Sequence, residues 1–157
     1  MRHAKSSWAD AEQTDHERPL NDRGKRAATA VGAALHARGV APHTIWSSDA
    51  TRTRQTAMRL IRAIPGAQTV EYLPEFYHAS AEEALRICAD RGEPDCERLM
   101  WLGHNPGWSA LHLHFTGRAH AFPTAACLVL KRQGDRDWLE TESWRVADLI
   151  LPRELEL

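Results

Sequence analysis

Cysteine is scarce in this chain: 157 residues contain three, Cys88, Cys96 and Cys127. An odd number without metal-ligand spacing excludes a disulfide framework and a zinc ribbon, and reads as reduced thiols in a cytoplasmic protein. Long apolar runs are also missing. Nothing approaches the roughly 20 residues of a membrane span, and no signal-peptide pattern opens the chain, so a membrane role is not expected. Charge of one sign is missing too. Twenty Lys and Arg stand against 21 Asp and Glu, a net charge of −1. A duplex-binding protein carries a basic excess, so nucleic acid is excluded as a main partner. Gly and Pro are scattered rather than gathered into a linker, and there is no internal repeat. Residues 1–157 therefore read as one domain, with 43% apolar residues to build its core.

What is present is an alternation of strands and helices. Residues 4–20 are polar and irregular, a surface loop. Asn21 caps a helix that Gly39 ends, with Ala28, Val31, Leu35 and Arg38 on one face and Ala27, Ala30 and Ala34 beside them. Thr44-Ile45-Trp46 is a short strand. A second helix is expected from about Asp49 to Ile64, with Ser48 as its cap. Val70–Leu73 is another strand, and Ser80-Ala81-Glu82-Glu83 is a capping box that starts a helix running to Arg91, with Gly92 as its stop. Leu99-Met100-Trp101-Leu102 suits a buried parallel strand, broken by Gly103-His104-Asn105-Pro106-Gly107 and followed by a short helix. Residues 126–132 and 138–146 read as two final strands. The order predicts an α/β fold, a three-layer α/β/α sandwich with a mainly parallel central sheet.

Three polar clusters fall at strand ends: Arg2-His3, Arg52 with Arg54, and His104-Asn105. Open α/β sheets bind ligands at the carboxyl ends of their strands. Arg52 belongs to the first turn of its helix, where free N–H groups favour an anion. Two arginines and two histidines suit a phosphoryl group: guanidinium forks bind its oxygens, and neutral imidazole attacks phosphorus. Each cluster alone is equally a solvated surface feature; the argument rests on their convergence. The six tryptophans divide in the same way: Trp46 and Trp101 fall in strands and read as core, whereas Trp8 and Trp108 follow the two histidine motifs and are expected at the pocket mouth.

The motifs resemble a known family. Arg2-His3-Ala4-Lys5-Ser6-Ser7-Trp8 resembles the Arg-His-Gly/Ala motif of the histidine phosphatase superfamily, whose fold is that of the phosphoglycerate mutases. Asp15-His16-Glu17-Arg18-Pro19-Leu20-Asn21-Asp22-Arg23-Gly24 resembles the segment that follows it in SixA-type phosphohistidine phosphatases. Ser47-Ser48 through Arg52 to Ala57, Gly103–Gly107 and Pro123-Thr124-Ala125 are similar to the later motifs. The resemblance implies that His3 attacks phosphorus, that Arg2 and Arg52 clamp the phosphoryl oxygens, and that His104 completes the pocket. It implies no metal and no cofactor. Its substrate would be phosphohistidine on a protein, or a small phosphoester. The proton donor stays open among Glu75, Asp15 and Glu17, and phosphoramidates need less help because imidazole can leave protonated.

The resemblance also implies a short apolar strand ahead of Arg2, at the centre of the sheet. The favoured expectation is that this strand lies ahead of the present sequence, the alternative being a true truncation that weakens the enzyme; without the strand, each buried backbone group left unpaired costs about 1–3 kcal/mol. Two other classes remain: an anion-binding module without activity, and a metal hydrolase using His104, His112 and His114. Oligomeric state is not legible.

Overall fold

Strand β1, Thr44–Ser47, shows how the layers form. Successive side chains of a strand point to opposite faces, and Ile45 and Trp46 enter two different hydrophobic clusters. The first cluster joins Ile45 and Met100 to helix α1, Asp22–Ala37, and helix α2, Thr51–Ala63. The second joins Trp46 to helix α3, Ala81–Arg91, and helix α4, Gly107–Thr116. Two helix layers thus sandwich the sheet, as the alternation predicts. The computed structural model describes residues 1–157, and none of its helices is long and apolar enough to cross a membrane.

The small-residue face of α1 allows a close approach to α2. A Cβ added to Gly32 would lie 2.8 Å from the Leu60 carbonyl oxygen. Asn21 caps α1 by accepting from Gly24 N at 2.8 Å. Arg38, expected on the buried face, lies past the helix end, exposed, in an ion pair with Asp148. The Ser80–Glu83 capping box forms reciprocally, and Gly92 ends α3 at φ 80°. Helix α2 starts later than expected. Its N-cap is Ala50 and makes no side-chain cap bond; the Ser48 hydroxyl accepts from Ala50 N at 3.3 Å and also meets His104.

The parallel sheet has the order β2-β1-β3, with β2 Thr69–Tyr72 and β3 Leu99–Leu102. Strands β4, Cys127–Arg132, and β5, Trp144–Ile150, form a separate antiparallel pair. β5 starts six residues later than the sequence suggests. Residues 138–143 are turns that bury Trp138 and tie its carbonyl to the Trp144 indole at 2.8 Å.

The first residues run between the two sheets. Gly103 N donates to Met1 O at 3.1 Å and His3 N to Gly103 O at 3.0 Å. On the other side Arg2 N donates to Ala126 O at 3.1 Å and Ala125 N to His3 O at 2.9 Å. Ala125 adopts φ 63°, a conformation unfavourable for a residue with a Cβ, and so holds the His3 backbone in place. Beyond Met1 the sheets part around a cavity of about 640 Å³. Leu99, Trp101, Leu128 and Leu130 line it, together with His112. Along β3 the carbonyls of Arg98 and Leu102 face β1, so the backbone groups of Leu99 and Trp101 face the cavity. The Met1 amine sits at its end, buried, and donates to Trp101 O at 2.7 Å.

Candidate active site

His3 and His104 approach from adjacent strand ends, with ring centroids 5.2 Å apart. Both are buried, as is Arg52. His3 Nδ1 lies 2.6 Å from the carbonyl of Ala4. A carbonyl only accepts, so Nδ1 carries the proton and Nε2 keeps its lone pair. Burial lowers the His3 pKa from the usual 6.5 to about 4. The bond to Ala4 acts against that shift, and the charges of Arg52, Arg2 and Arg18 reinforce it. His3 is thus a neutral imidazole in an electropositive pocket at neutral pH.

His104 follows β3 directly, and Gly103 lets it do so. A Cβ on Gly103 would run into the Trp108 ring. The Nε2 of His104 lies 2.8 Å from Ser48 Oγ. With the serine donating, Nδ1 bears a proton, and that buried nitrogen has no protein partner. Burial pushes the His104 pKa far down, and His3, Arg52 and His78 add to the shift. The Arg2 Nε is a second buried, unpartnered N–H, while its Nη1 donates to Phe122 O at 3.1 Å.

Arg52 stands in the first turn of α2, as expected. The loop after His3 lies against that turn: Thr51 N donates to His16 O at 3.0 Å. Asp15, on this loop, takes both terminal nitrogens of Arg52, Nη1 through its carbonyl at 2.7 Å and Nη2 through Oδ2 at 3.0 Å. Arg18 Nη1 donates to Asp15 Oδ1 at 2.8 Å, and the Tyr77 hydroxyl and His78 Nε2 (3.2 Å) both reach Oδ2. His78 needs a left-handed backbone, φ 55°, to do this. Burial alone would raise the Asp15 pKa. The hydrogen bonds from Tyr77, Arg18 and Arg52 outweigh it and hold the carboxylate ionised, far below the usual range.

The four residues expected to converge, Arg2, His3, Arg52 and His104, therefore do so. Of the three acidic candidates only Asp15 is tied to them, and as a carboxylate. Glu17 turns to Thr14, bonding its N–H and hydroxyl at 3.1 Å, and Glu75 is exposed in a 3-10 turn, Pro74–Phe76, without a hydrogen bond. Arg54 points away, onto the Tyr72 ring and the Asp49 carbonyl. Trp108 is not at the pocket mouth: it is buried against Phe76, and its indole donates to Trp101 O at 3.2 Å. Trp8 is at the surface, 77% exposed, with the Arg18 guanidinium stacked on it at 3.2 Å. His104, His112 and His114 do not gather. His112 packs on Phe122 and His114 bonds the Leu139 carbonyl. Sequence reasoning missed Ser48, Arg18, Tyr77 and His78. Arg18 left a signal within the Arg-Pro-Leu segment, and Ser48 within the Ser-Ser motif ahead of Arg52.

Residues 1–94 match the model of the histidine phosphatase superfamily, branch 1. An uncharacterized chloroplastic protein of Arabidopsis thaliana is 32% identical over 97% of this chain and 76% of its own length. A SixA protein of Agrobacterium tumefaciens, described as a candidate phosphohistidine phosphatase, superposes with TM-score 0.82 at 30% identity, covering 97% of this chain and 95% of that one. A SixA protein of Nakamurella, described in the same way, gives 0.75 at 28% identity, covering 97% and 93%. The chain belongs to the histidine phosphatase superfamily, branch 1.

Proposed function

We propose that the protein hydrolyses phosphohistidine carried on another protein, through a phosphohistidine formed on its own His3. The Nε2 lone pair of His3 attacks phosphorus in line with the scissile P–N bond. The substrate imidazole leaves with a proton, and a phosphoryl–His3 bond remains. Arg2 and Arg52 bind the equatorial oxygens, and the free Nδ1–H of His104 supplies a further donor where charge develops. Water then cleaves the P–N bond on His3, releasing inorganic phosphate and the neutral ring. Ser48 is a positioning residue that sets the His104 tautomer.

The observation that carries this reading is the Nδ1–H bond of His3 to Ala4, which fixes the nucleophilic tautomer beside a guanidinium and a second imidazole. Two features support a phosphoramidate over an ester. The one carboxylate at the site is held ionised, so it is a poor acid for an alkoxide, whereas imidazole needs little assistance. The pocket rim, Asp15, His16 and His78, is open to solvent, which suits a donor displayed on a protein surface. The Agrobacterium and Nakamurella relatives are described as candidates for the same activity. The test is turnover of a phosphohistidine peptide against an aryl phosphate and a sugar phosphate. A kcat/KM at least tenfold higher for the peptide is expected; a preference for the sugar phosphate would replace this substrate class with small phosphoesters.

A further inference from the structure

Asp15 Oδ2 receives two donors, Arg52 Nη2 at 3.0 Å and the Tyr77 hydroxyl, and His78 Nε2 lies 3.2 Å from it as an ion-pair contact. One oxygen gathering a guanidinium, a phenol and an imidazole has the surroundings of an anionic phosphoryl oxygen. The same rings frame His104, with the Tyr77 centroid 5.5 Å and the His78 centroid 5.8 Å from it. Nη2 of Arg52 is meanwhile bonded to the Asp15 carboxylate and Nη1 to the Asp15 backbone carbonyl, so the carboxylate already occupies one arm of the clamp. Its other oxygen is held by Arg18, on the same loop and three residues on. The side chain is 38% exposed, so its outer side faces solvent.

We infer that Asp15 is an internal anion standing at a phosphoryl-oxygen position, displaced toward Arg18 when substrate enters, and that Tyr77 and His78 are then released to bind the substrate's phosphoryl oxygen. The inference rests on the phosphatase reading for its ligand. Its physical content is simple. A phosphoryl dianion and a carboxylate repel each other across one guanidinium, so the pocket holds one or the other. Asp15 keeps Arg52, Tyr77 and His78 aligned in the free protein, at the expense of oxyanion affinity.

Orthovanadate and inorganic phosphate are the probes, with binding followed by calorimetry on the full chain. Asp15→Asn keeps the shape and removes the charge. It should bind both oxyanions about tenfold more tightly than wild type and lower KM for a phosphorylated donor. Tyr77→Phe should bind them three- to tenfold more weakly at unchanged melting temperature, since it removes a donor from the oxyanion. Weaker or equal binding by Asp15→Asn would overturn the internal anion and make Asp15 only a support for Arg52. Should that variant fail to fold, Tyr77→Phe and His78→Ala decide: unchanged oxyanion affinity in both overturns the inference. Failure of the phosphatase reading shows differently, as oxyanion binding that follows this pattern without turnover of any donor.

Discussion

Strand β3 borders two cavities built in opposite ways. Past its carboxyl end, at Gly103-His104, the side chains hold one another by charge: Arg52, Arg18, Tyr77 and His78 all meet Asp15, and Ser48 meets His104. Along its flank, the cavity of about 640 Å³ is lined by Leu99, Trp101, Leu128 and Leu130, and holds a buried amine and an imidazole, His112, whose Nδ1 has no partner. The first cavity is paired before any ligand arrives, and its few free donors belong to residues of the cluster. The second leaves strand backbone facing apolar space. One is organised for a polar guest. The other is lined by apolar side chains of the core, so it bears on stability rather than chemistry.

The comparison breaks first if the chemistry is not in the polar cavity. His3→Ala should lower kcat by about 10⁴-fold or more, since it removes the nucleophile itself. Arg52→Ala should lower kcat/KM by about 10²–10³-fold, the usual loss of one preorganised transition-state donor. Steady-state kinetics on a phosphohistidine peptide measures both. Neither change should alter the apolar cavity.

Titration separates the two regions further. Burial lowers the folded pKa of His3 and of His112 from 6.5 to about 4 and about 3. The unfolded chain therefore binds more protons in these windows. Stability contributed by the neutral forms is full above the unfolded values and is lost as pH falls. The loss runs from pH 6.5 toward 4 with both histidines and on toward 3 with His112, at about 1.4 kcal/mol per pH unit for each group still neutral in the fold. Denaturant titrations at each pH test this. Ser48→Ala should give the smallest effect, about tenfold in kcat with little change in KM, because it loosens the tautomer of His104 without touching substrate.

Local chemistry was legible where it was local. The Ser80–Glu83 box and the Gly92 stop fixed α3, and the small-residue face of α1 announced its packing. The apolar run of β3 and the Gly-His-Asn-Pro-Gly break after it placed His104 at a strand end. Residues whose role depends on distant partners were not legible. Ser48 looks like a helix cap, but its hydroxyl serves a ring 56 positions away. Trp108 follows a histidine motif, yet burial against Phe76 makes it core. Tyr77 and His78 carry no pattern at all; a left-handed turn delivers them to Asp15. Asp15 stands in the sequence as one of three candidate proton donors, because sequence cannot count the donors that surround its carboxylate.

The central claim is a covalent bond to one nitrogen. Brief reaction with a labelled phosphohistidine peptide, followed by alkaline quench and mass spectrometry of peptides, reads it directly. The account predicts a base-stable, acid-labile phosphoryl group on His3, absent from His3→Ala and lost on chasing with unlabelled donor. Turnover at the wild-type rate with no label on His3, or with label on another residue, would contradict it.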